Sequence, residues 1–169
     1  KINVDHFGLF SPTFTQKFLI FIAQKSFLKR GQLRRLISYL VYSIRKKPLD
    51  VYFRDCAFRL HHNRRNHIQD GLLVNPEYNF NDIEFLLNGS DTNSNFVDIG
   101  ANIGLYSLPL ALSTPDGQVV AIDANPLMIK QLSFNAAASK LTNLKIIFSA
   151  VCNKTGYGSL TIRNDDDAI

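Results

Sequence analysis

Two aspartates and a glycine turn are the residues of this chain whose types and spacing could do chemistry. Asp98 ends a short apolar run, NFVDIG, and Gly100 and Gly104 follow it. Asp123 ends a second apolar run, QVVAID, 23 positions after Gly100. A carboxylate roughly 20 residues beyond a glycine turn is well placed to accept both hydrogen bonds of a ribose diol. Because Gly100 has no side chain, a ligand could approach the backbone there closely.

A parallel sheet is needed to bring these residues together, and the pattern from residue 95 onward predicts one. Three apolar runs of strand length, the last being NLKIIFSA, alternate with two segments of helical period, and Asn125 and Pro126 form a typical helix start. The order strand–helix–strand–helix–strand indicates parallel pairing with right-handed crossovers. Ligands bind beyond the carboxyl ends of the strands in such sheets. The expected fold class is α/β, with residues 71–169 forming the first half of a doubly wound, Rossmann-like sheet.

The glycine turn favours one nucleoside cofactor over another. A dinucleotide fingerprint would have glycine at positions 100, 102 and 105, but this chain has Gly100, Asn102 and Leu105. The glycines that cradle a pyrophosphate are therefore missing. The carboxylate of Asp98 would repel a pyrophosphate, but it suits the ammonium group of an amino-acid moiety. This combination favours S-adenosylmethionine over a nicotinamide cofactor.

The chain resembles the FkbM-type family of S-adenosylmethionine-dependent methyltransferases over about residues 75–162. The resemblance rests on FVDIGANIGLYS, VVAIDANP, LSFN and NLKIIFSAV, of which DIGANIG is the most specific part. It implies O-methyl transfer, commonly to a sugar hydroxyl of a glycan or a secondary metabolite. It also implies that the glycine turn surrounds the methionine portion, that Asp123 holds the ribose, and that Ser149 and Ala150 lie near the adenine. The predicted cofactor-binding residues are Asp98, Gly100, Ala101, Asn102, Gly104, Asp123, Ser149 and Ala150.

Two departures from the family pattern limit this prediction. Asp123 stands where members often carry Glu, which shortens the reach of the carboxylate without changing its chemistry. The family also continues into a fourth strand with an acid-bearing segment, whereas this sequence ends at Ile169. The chain is therefore expected to be C-terminally incomplete, with any catalytic base beyond Ile169. No catalytic residue is predicted, and the activity of the fragment alone is left open.

A basic region is expected to precede the sheet, over residues 1–70. It holds 14 of the 19 Lys and Arg residues and 4 of the 14 Asp and Glu residues. Two amphipathic helices are predicted, over 13–30 and 32–46, the first with Thr13 and Gln16 at capping-box spacing. One or two short strands are expected over 51–60. The favoured interpretation is a helical pair that packs on the catalytic domain with its charges in water. The alternative is that the basic residues bind the phosphates of RNA or anionic lipid head groups.

The partner predictions follow from these features. A small-molecule or glycan acceptor is expected. No nucleic acid is expected, because no RNA-recognition motif accompanies the basic residues, and weak peripheral membrane contact through the basic helices is the remaining prediction. Two cysteines outside any CxxC pattern suit a reducing compartment. The predicted location is therefore cytoplasmic, peripheral to the membrane where the basic helices contact lipid.

Several competing interpretations stay open. Asp98 and Asp123 could be strand-end carboxylates that only cap the following helices. His61, His62 and His67 fit no common zinc spacing, so no metal site is predicted. The competing functions are a non-catalytic RNA or membrane adaptor and a nicotinamide-dependent oxidoreductase. Titration with S-adenosylhomocysteine and with NADH separates the enzyme classes.

Overall fold

The computed structural model describes residues 6–27, 31–61 and 67–161, apart from the side chain of His67. These residues fall into two compact units. The first contains residues 6–53 and 57–78, and the second contains residues 54–56 and 79–161. The division along the chain therefore lies near residue 78, later than the predicted boundary at residue 70.

Three helices and a two-stranded sheet make up the first unit. They are α1 (Phe14–Lys25), α2 (Gly31–Arg45), β1 (Leu49–Phe53), β2 (Cys56–Leu60) and α3 (His67–Val74). The capping box of α1 is confirmed, because the Thr13 side chain accepts from the Gln16 backbone N–H at 3.3 Å and the Gln16 side chain accepts from the Thr13 backbone N–H at 3.0 Å. Helix α3 was not predicted. Its first residue belongs to the polar run HHNRRNH, and residues 62–66 of that run lie outside the described residues.

The apolar stripes of α1 and α2 are exposed. Phe14 is 85% exposed and Leu36 is 53% exposed. The buried residues of these helices are Gln16, Ala23, Ser38, Val41 and Tyr42, and Val41 is the one among them that belongs to the predicted stripes. The exposed stripes are formed by Phe14, Phe18, Phe21 and Ile22 on α1 and by Leu33, Leu36, Leu40 and Ile44 on α2. Packing of this helical pair on the catalytic domain stays a prediction.

A buried ion pair ties the N-terminal loop of the first unit to β1 and β2. Arg59 contacts both carboxylate oxygens of Asp50, with Nε–Oδ1 at 2.7 Å and Nη2–Oδ2 at 2.9 Å. Asp50 Oδ2 also accepts from the backbone N–H groups of Gly8 at 2.8 Å and Phe10 at 3.1 Å. Burial raises the pKa of Asp50, but these hydrogen bonds and the charge of Arg59 outweigh it and hold the pKa below its ordinary 3.8.

The second unit is built of three helices and a three-stranded sheet among its described residues. Its elements are α4 (Phe80–Asn88), β3 (Phe96–Ile99), α5 (Ser107–Ser113), β4 (Val119–Asp123), α6 (Pro126–Ala138) and β5 (Leu144–Phe148). The three strands form one sheet in the order β3-β4-β5, and both pairings are parallel. The predicted α/β fold class is confirmed. The sheet packs against α5 through Leu110, Ala111 and Val119.

The sequence predicts the start of one helix in this unit correctly and the starts of two others incorrectly. Asn125 caps α6 by accepting from the Leu127 backbone N–H at 2.9 Å, and Pro126 is the first helical residue, as predicted. The sequence predicts a short helix from Asp82 to Asn88 with Asn81 as its cap, but helix α4 begins after Asn79 and Asn81 lies within it. Helix α5 is shorter than its helical period suggested, because residues 100–106 form the glycine turn.

Cys56 is buried and Cys152 is exposed, and both are free thiols. Burial raises the pKa of Cys56 to about 12. The cytoplasmic location inferred from the cysteine content stays a prediction. Across the parts of the chain that the structure describes, no helix has both the length and the apolar character needed to cross a membrane.

Candidate functional site

The carboxyl ends of the three parallel strands bring most of the predicted site residues to one edge of the sheet. Ile99, directly after Asp98, pairs with Ile122, directly before Asp123. The Ser149 backbone N–H donates to the Asp123 carbonyl at 3.0 Å, so the end of β5 lies beside the end of β4. Ser149 and the following residue, Ala150, are exposed there. The geometric part of the prediction, a shared rim for the two aspartates, therefore holds.

The glycine turn is held against the neighbouring strand by backbone hydrogen bonds. The N–H groups of Gly100 and Ala101 both donate to the carbonyl of Ile122, at 2.8 and 3.0 Å. Gly100, Asn102 and Gly104 have φ angles of +80°, +50° and +96°. This left-handed backbone is the reason glycine suits two of these positions.

Gly100 and Gly104 have different surroundings. A Cβ placed on Gly100 would meet no atom within 4 Å, so the space in front of the turn is open. A Cβ on Gly104 would lie 2.0 Å from Leu108 Cδ1 and 2.7 Å from Leu132 Cδ1. Gly104 therefore lets the turn pack against α5 and α6, while Gly100 leaves room for a ligand. Ala101 is buried. Direct contact of Ala101 and Gly104 with a cofactor stays a prediction.

Asp123 braces the glycine turn and keeps capacity for a ligand. Its Oδ2 accepts from the Asn102 backbone N–H at 2.8 Å, and its Oδ1 accepts from the Asn125 backbone N–H at 2.8 Å. These two bonds give the carboxylate a structural part in the glycine turn and in the loop before α6. Each carboxylate oxygen has about two acceptor positions. One position on each oxygen is enough to receive the two hydroxyls of a ribose.

Asp98 is half-buried and is hydrogen-bonded to the start of α5. Its Oδ2 accepts from the hydroxyl of Ser107. Burial raises the pKa of Asp98 above its ordinary 3.8, the hydrogen bonds from Ser107 oppose this rise, and the negative charge of Asp123 adds to it. A half-buried carboxylate near a second carboxylate is stabilised by a cationic neighbour. The ammonium or sulfonium group of S-adenosylmethionine would supply that positive charge.

Two groups of supporting residues were not predicted as part of the site. Asn135, interpreted from the sequence as a polar helix residue, is fully buried and its Nδ2 donates to the Ile103 carbonyl in the glycine turn at 3.0 Å. A polar residue on the buried face of a helix was the signal for it. Asn79 Nδ2 donates to the Tyr106 hydroxyl at 2.7 Å, and that hydroxyl donates to Asp82 Oδ2 at 3.3 Å. Nothing in the sequence pattern indicated this second link, which joins α4 to the end of the turn.

Glu84 occupies a different place from the one predicted. Glu84 stands three residues after Asn81, and this spacing in the sequence predicts a capping box. In the structure Glu84 forms an ion pair with Arg54, with Oε1 and Nη1 2.6 Å apart. The guanidinium of Arg54 also lies 4.9 Å from the ring centroid of Phe80. Glu84 therefore anchors Arg54 and does not cap α4.

Comparison with known proteins identifies the fold. No family model and no curated protein matches this chain. Among solved structures, the SAM-dependent methyltransferase from Agrobacterium tumefaciens is 18% identical with a TM-score of 0.50, covering 62% of this chain and 33% of that one. M. jannaschii TYW2 in complex with AdoMet is 24% identical with a TM-score of 0.48, covering 61% and 43%. An rRNA methylase from Streptococcus thermophilus is 22% identical with a TM-score of 0.38, covering 41% and 40%.

The similarity to the Agrobacterium tumefaciens enzyme, at a TM-score of 0.50, defines the fold as the Rossmann-like fold of S-adenosylmethionine-dependent methyltransferases. The predicted cofactor is the one named for these neighbours. The chain spans less than half the length of each of the three. The FkbM-type family remains a resemblance. The prediction that no nucleic acid is a partner is wrong, because the solved structures similar to this chain include an enzyme named as an rRNA methylase.

Proposed function

We propose that this chain binds S-adenosylmethionine at the carboxyl edge of β3, β4 and β5, as part of a methyltransferase. One observation carries the proposal. Asp98 and Asp123 end adjacent parallel strands and flank a turn in which Gly100 opens onto free space. A nucleoside that carries a positive charge fits a rim with these two carboxylates better than a dinucleotide with a pyrophosphate does.

Each residue of the rim has a distinct part in this proposal. Asp123 accepts the ribose hydroxyls on the acceptor positions that the backbone leaves, and Asp98 faces the cationic amino-acid end. Gly100 admits the ligand close to the backbone, and Ser149 and Ala150 border the base. The bound cofactor supplies an activated methyl group on its sulfonium. The residues of this chain hold and orient the cofactor, and orientation is a large part of the rate of such transfers.

Removal of the Asp123 carboxylate is the direct test of cofactor binding. Asp123→Ala should weaken the binding of S-adenosylhomocysteine by about 1–3 kcal/mol, because a charged hydrogen-bonding partner is lost. The affinity is measured by calorimetric titration of the full chain, with circular dichroism to verify folding. Asp116→Ala is the matched control, because Asp116 is exposed in the loop before β4. A folded Asp123→Ala variant with unchanged affinity would remove this residue from the site.

The same titration separates the competing enzyme class. NADH should bind weakly or not at all, because the turn has Asn102 where a dinucleotide fingerprint has glycine. Tighter binding of NADH than of S-adenosylhomocysteine would favour an oxidoreductase. Binding of neither ligand, together with salt-sensitive binding to RNA, would favour a non-catalytic adaptor.

The methyl acceptor is the finer part of the proposal, and two classes compete. A sugar hydroxyl of a glycan or secondary metabolite is implied by the FkbM resemblance alone. RNA is favoured by the charge of residues 1–70, which hold 14 of the 19 basic residues. Transfer of a labelled methyl group from S-adenosylmethionine to total RNA and to an oligosaccharide pool decides between them. Labelling of one pool only, abolished by Asp123→Ala, would assign the acceptor class.

A further inference from the structure

A cavity of about 570 Å³ lies in the first unit, apart from the proposed cofactor site. Its volume is within the range of about 300–1,000 Å³ that is usual for small-molecule sites. The N-terminal loop, α1, β1 and α3 each supply part of the wall. The residues that matter for its chemistry are Phe7, Lys17, Phe21, Asp50, Tyr52 and Leu73.

The walls of this cavity are mainly apolar and partly aromatic. The rings of Phe7 and Tyr52 pack edge to face, with centroids 5.2 Å apart and planes at 75°. Phe21 contributes from α1 and is more than half exposed, while Leu73 contributes from α3 and is buried. An apolar chain that entered the cavity would cover exposed aromatic surface, which is favourable because that surface leaves water.

The described residues that line the cavity include one base and one acid, Lys17 and Asp50. Asp50 is its acidic lining residue, and Arg59 neutralises it through the buried ion pair described above. Lys17 lines the cavity from the exposed side of α1. Among the residues that the structure describes, none forms an ion pair with Lys17. A ligand with one anionic group would therefore complete the electrostatics of the site.

From these features we infer that the cavity binds an amphiphile with a long apolar chain and one anionic group, a long-chain carboxylate being the simplest example. The apolar chain lies against Phe7, Phe21 and Tyr52, and the carboxylate faces Lys17. A nucleotide suits the cavity poorly, because one lysine cannot balance several phosphate charges. This inference concerns a site separate from the proposed methyltransferase site, so the affinity for S-adenosylhomocysteine does not decide it.

The charge requirement is tested by ligand displacement on the full chain. cis-Parinarate serves as a fluorescent probe, and oleate and oleyl alcohol, both below their micellar concentrations, displace it. Lys17→Gln should weaken oleate binding by about five- to tenfold and leave oleyl alcohol unchanged, because only oleate carries the charge that Lys17 meets. Lys25→Gln is the matched control. It removes the same charge from the last turn of α1, at a residue that does not line the cavity, and should change oleate binding by less than about twofold.

The place of binding is tested by a second pair of variants. Phe21→Ser changes the cavity wall, whereas Phe14→Ser removes an equally large, more exposed ring that does not line the cavity. Oleate affinity should fall in Phe21→Ser and persist in Phe14→Ser. Equal losses in both would place binding on the exposed face of α1 and overturn the inference. It would also be overturned if wild-type protein failed to bind parinarate, or bound oleate no more tightly than oleyl alcohol.

Discussion

Replacing each of the two glycines of the turn by alanine should separate a packing role from a ligand role. Gly100 and Gly104 both have positive φ, at +80° and +96°. An L-residue in such a left-handed conformation costs roughly 1–2 kcal/mol in either position. This shared backbone cost makes Gly100→Ala the natural control for Gly104→Ala.

The additional cost at Gly104 comes from steric overlap. Its Cβ would lie 2.0 Å from Leu108 Cδ1 and 2.7 Å from Leu132 Cδ1. Both leucines are fully buried, so neither side chain can move aside into solvent. Overpacking of a core costs about 1–3 kcal/mol. The total expected destabilisation is therefore about 2–5 kcal/mol for Gly104→Ala, against about 1–2 kcal/mol for Gly100→Ala.

Two measurements on both variants check this reasoning. Urea unfolding gives the free energy of unfolding, and Gly104→Ala should be less stable than Gly100→Ala by about 1–3 kcal/mol. Titration with S-adenosylhomocysteine measures binding, and here the substitution of Gly100 should have the larger effect. Gly100→Ala should remain folded and bind more weakly, because its methyl group enters the open space in front of the turn.

Two results would refute the reasoning. Equal stability of the two variants would mean that α5 and α6 do not pack on the turn as described. Undiminished binding of S-adenosylhomocysteine by folded Gly100→Ala would mean that the ligand does not approach that position.

Three further predictions concern single contacts. The pKa of Asp98 is raised, mainly by burial. Lowering the pH from about 7 to about 4 should therefore protonate the Asp98 carboxylate and weaken the binding of S-adenosylhomocysteine. The Asp98→Asn variant should lose this pH dependence. Asn135→Leu should cost about 1–3 kcal/mol in urea unfolding, because the buried Ile103 carbonyl loses its donor, and no change would argue against that support. Arg59→Met should cost about 3–5 kcal/mol at neutral pH, because Asp50 stays buried without its cation. The pKa of Asp50 is held low in the wild type, so the stability that its ion pair contributes is present above the ordinary pKa of 3.8 and is lost as the pH falls. The difference in free energy of unfolding between Arg59→Met and the wild type should therefore shrink in acid.

The sheet and its rim could be predicted from the sequence, because they depend on short-range pattern. Strands of parallel sheets are typically nearly continuous apolar runs, and each run here ends where a polar residue and a turn begin. The position of Asp98 and Asp123 at one edge then follows from the parallel topology alone. The capping box of α1 and the start of α6 were equally local signals.

Other features could not be predicted, because the sequence pattern does not show which side of a helix faces the protein core and which side faces solvent. Helical periodicity identified the stripes of α1 and α2 correctly as faces, but it does not say whether a face is buried. In the structure Gln16 and Ser38 are buried, and Phe14 and Leu36 are exposed. The polar contacts of the turn were missed for a similar reason. The Asn135 amide meets the turn across 32 positions of sequence, and no local pattern records such a contact.

The hydrogen bonds between β4 and the glycine turn mean that the rim is assembled when the sheet forms. The Ile122 carbonyl fixes two successive peptide groups of the turn, and the Asp123 side chain fixes a third. A nucleoside arriving at this edge would find a loop whose conformational entropy has already been lost in folding. Recognition would then proceed with little rearrangement of the backbone. Mutations that destabilise β4 would weaken binding even where the mutated residue contacts no atom of the ligand.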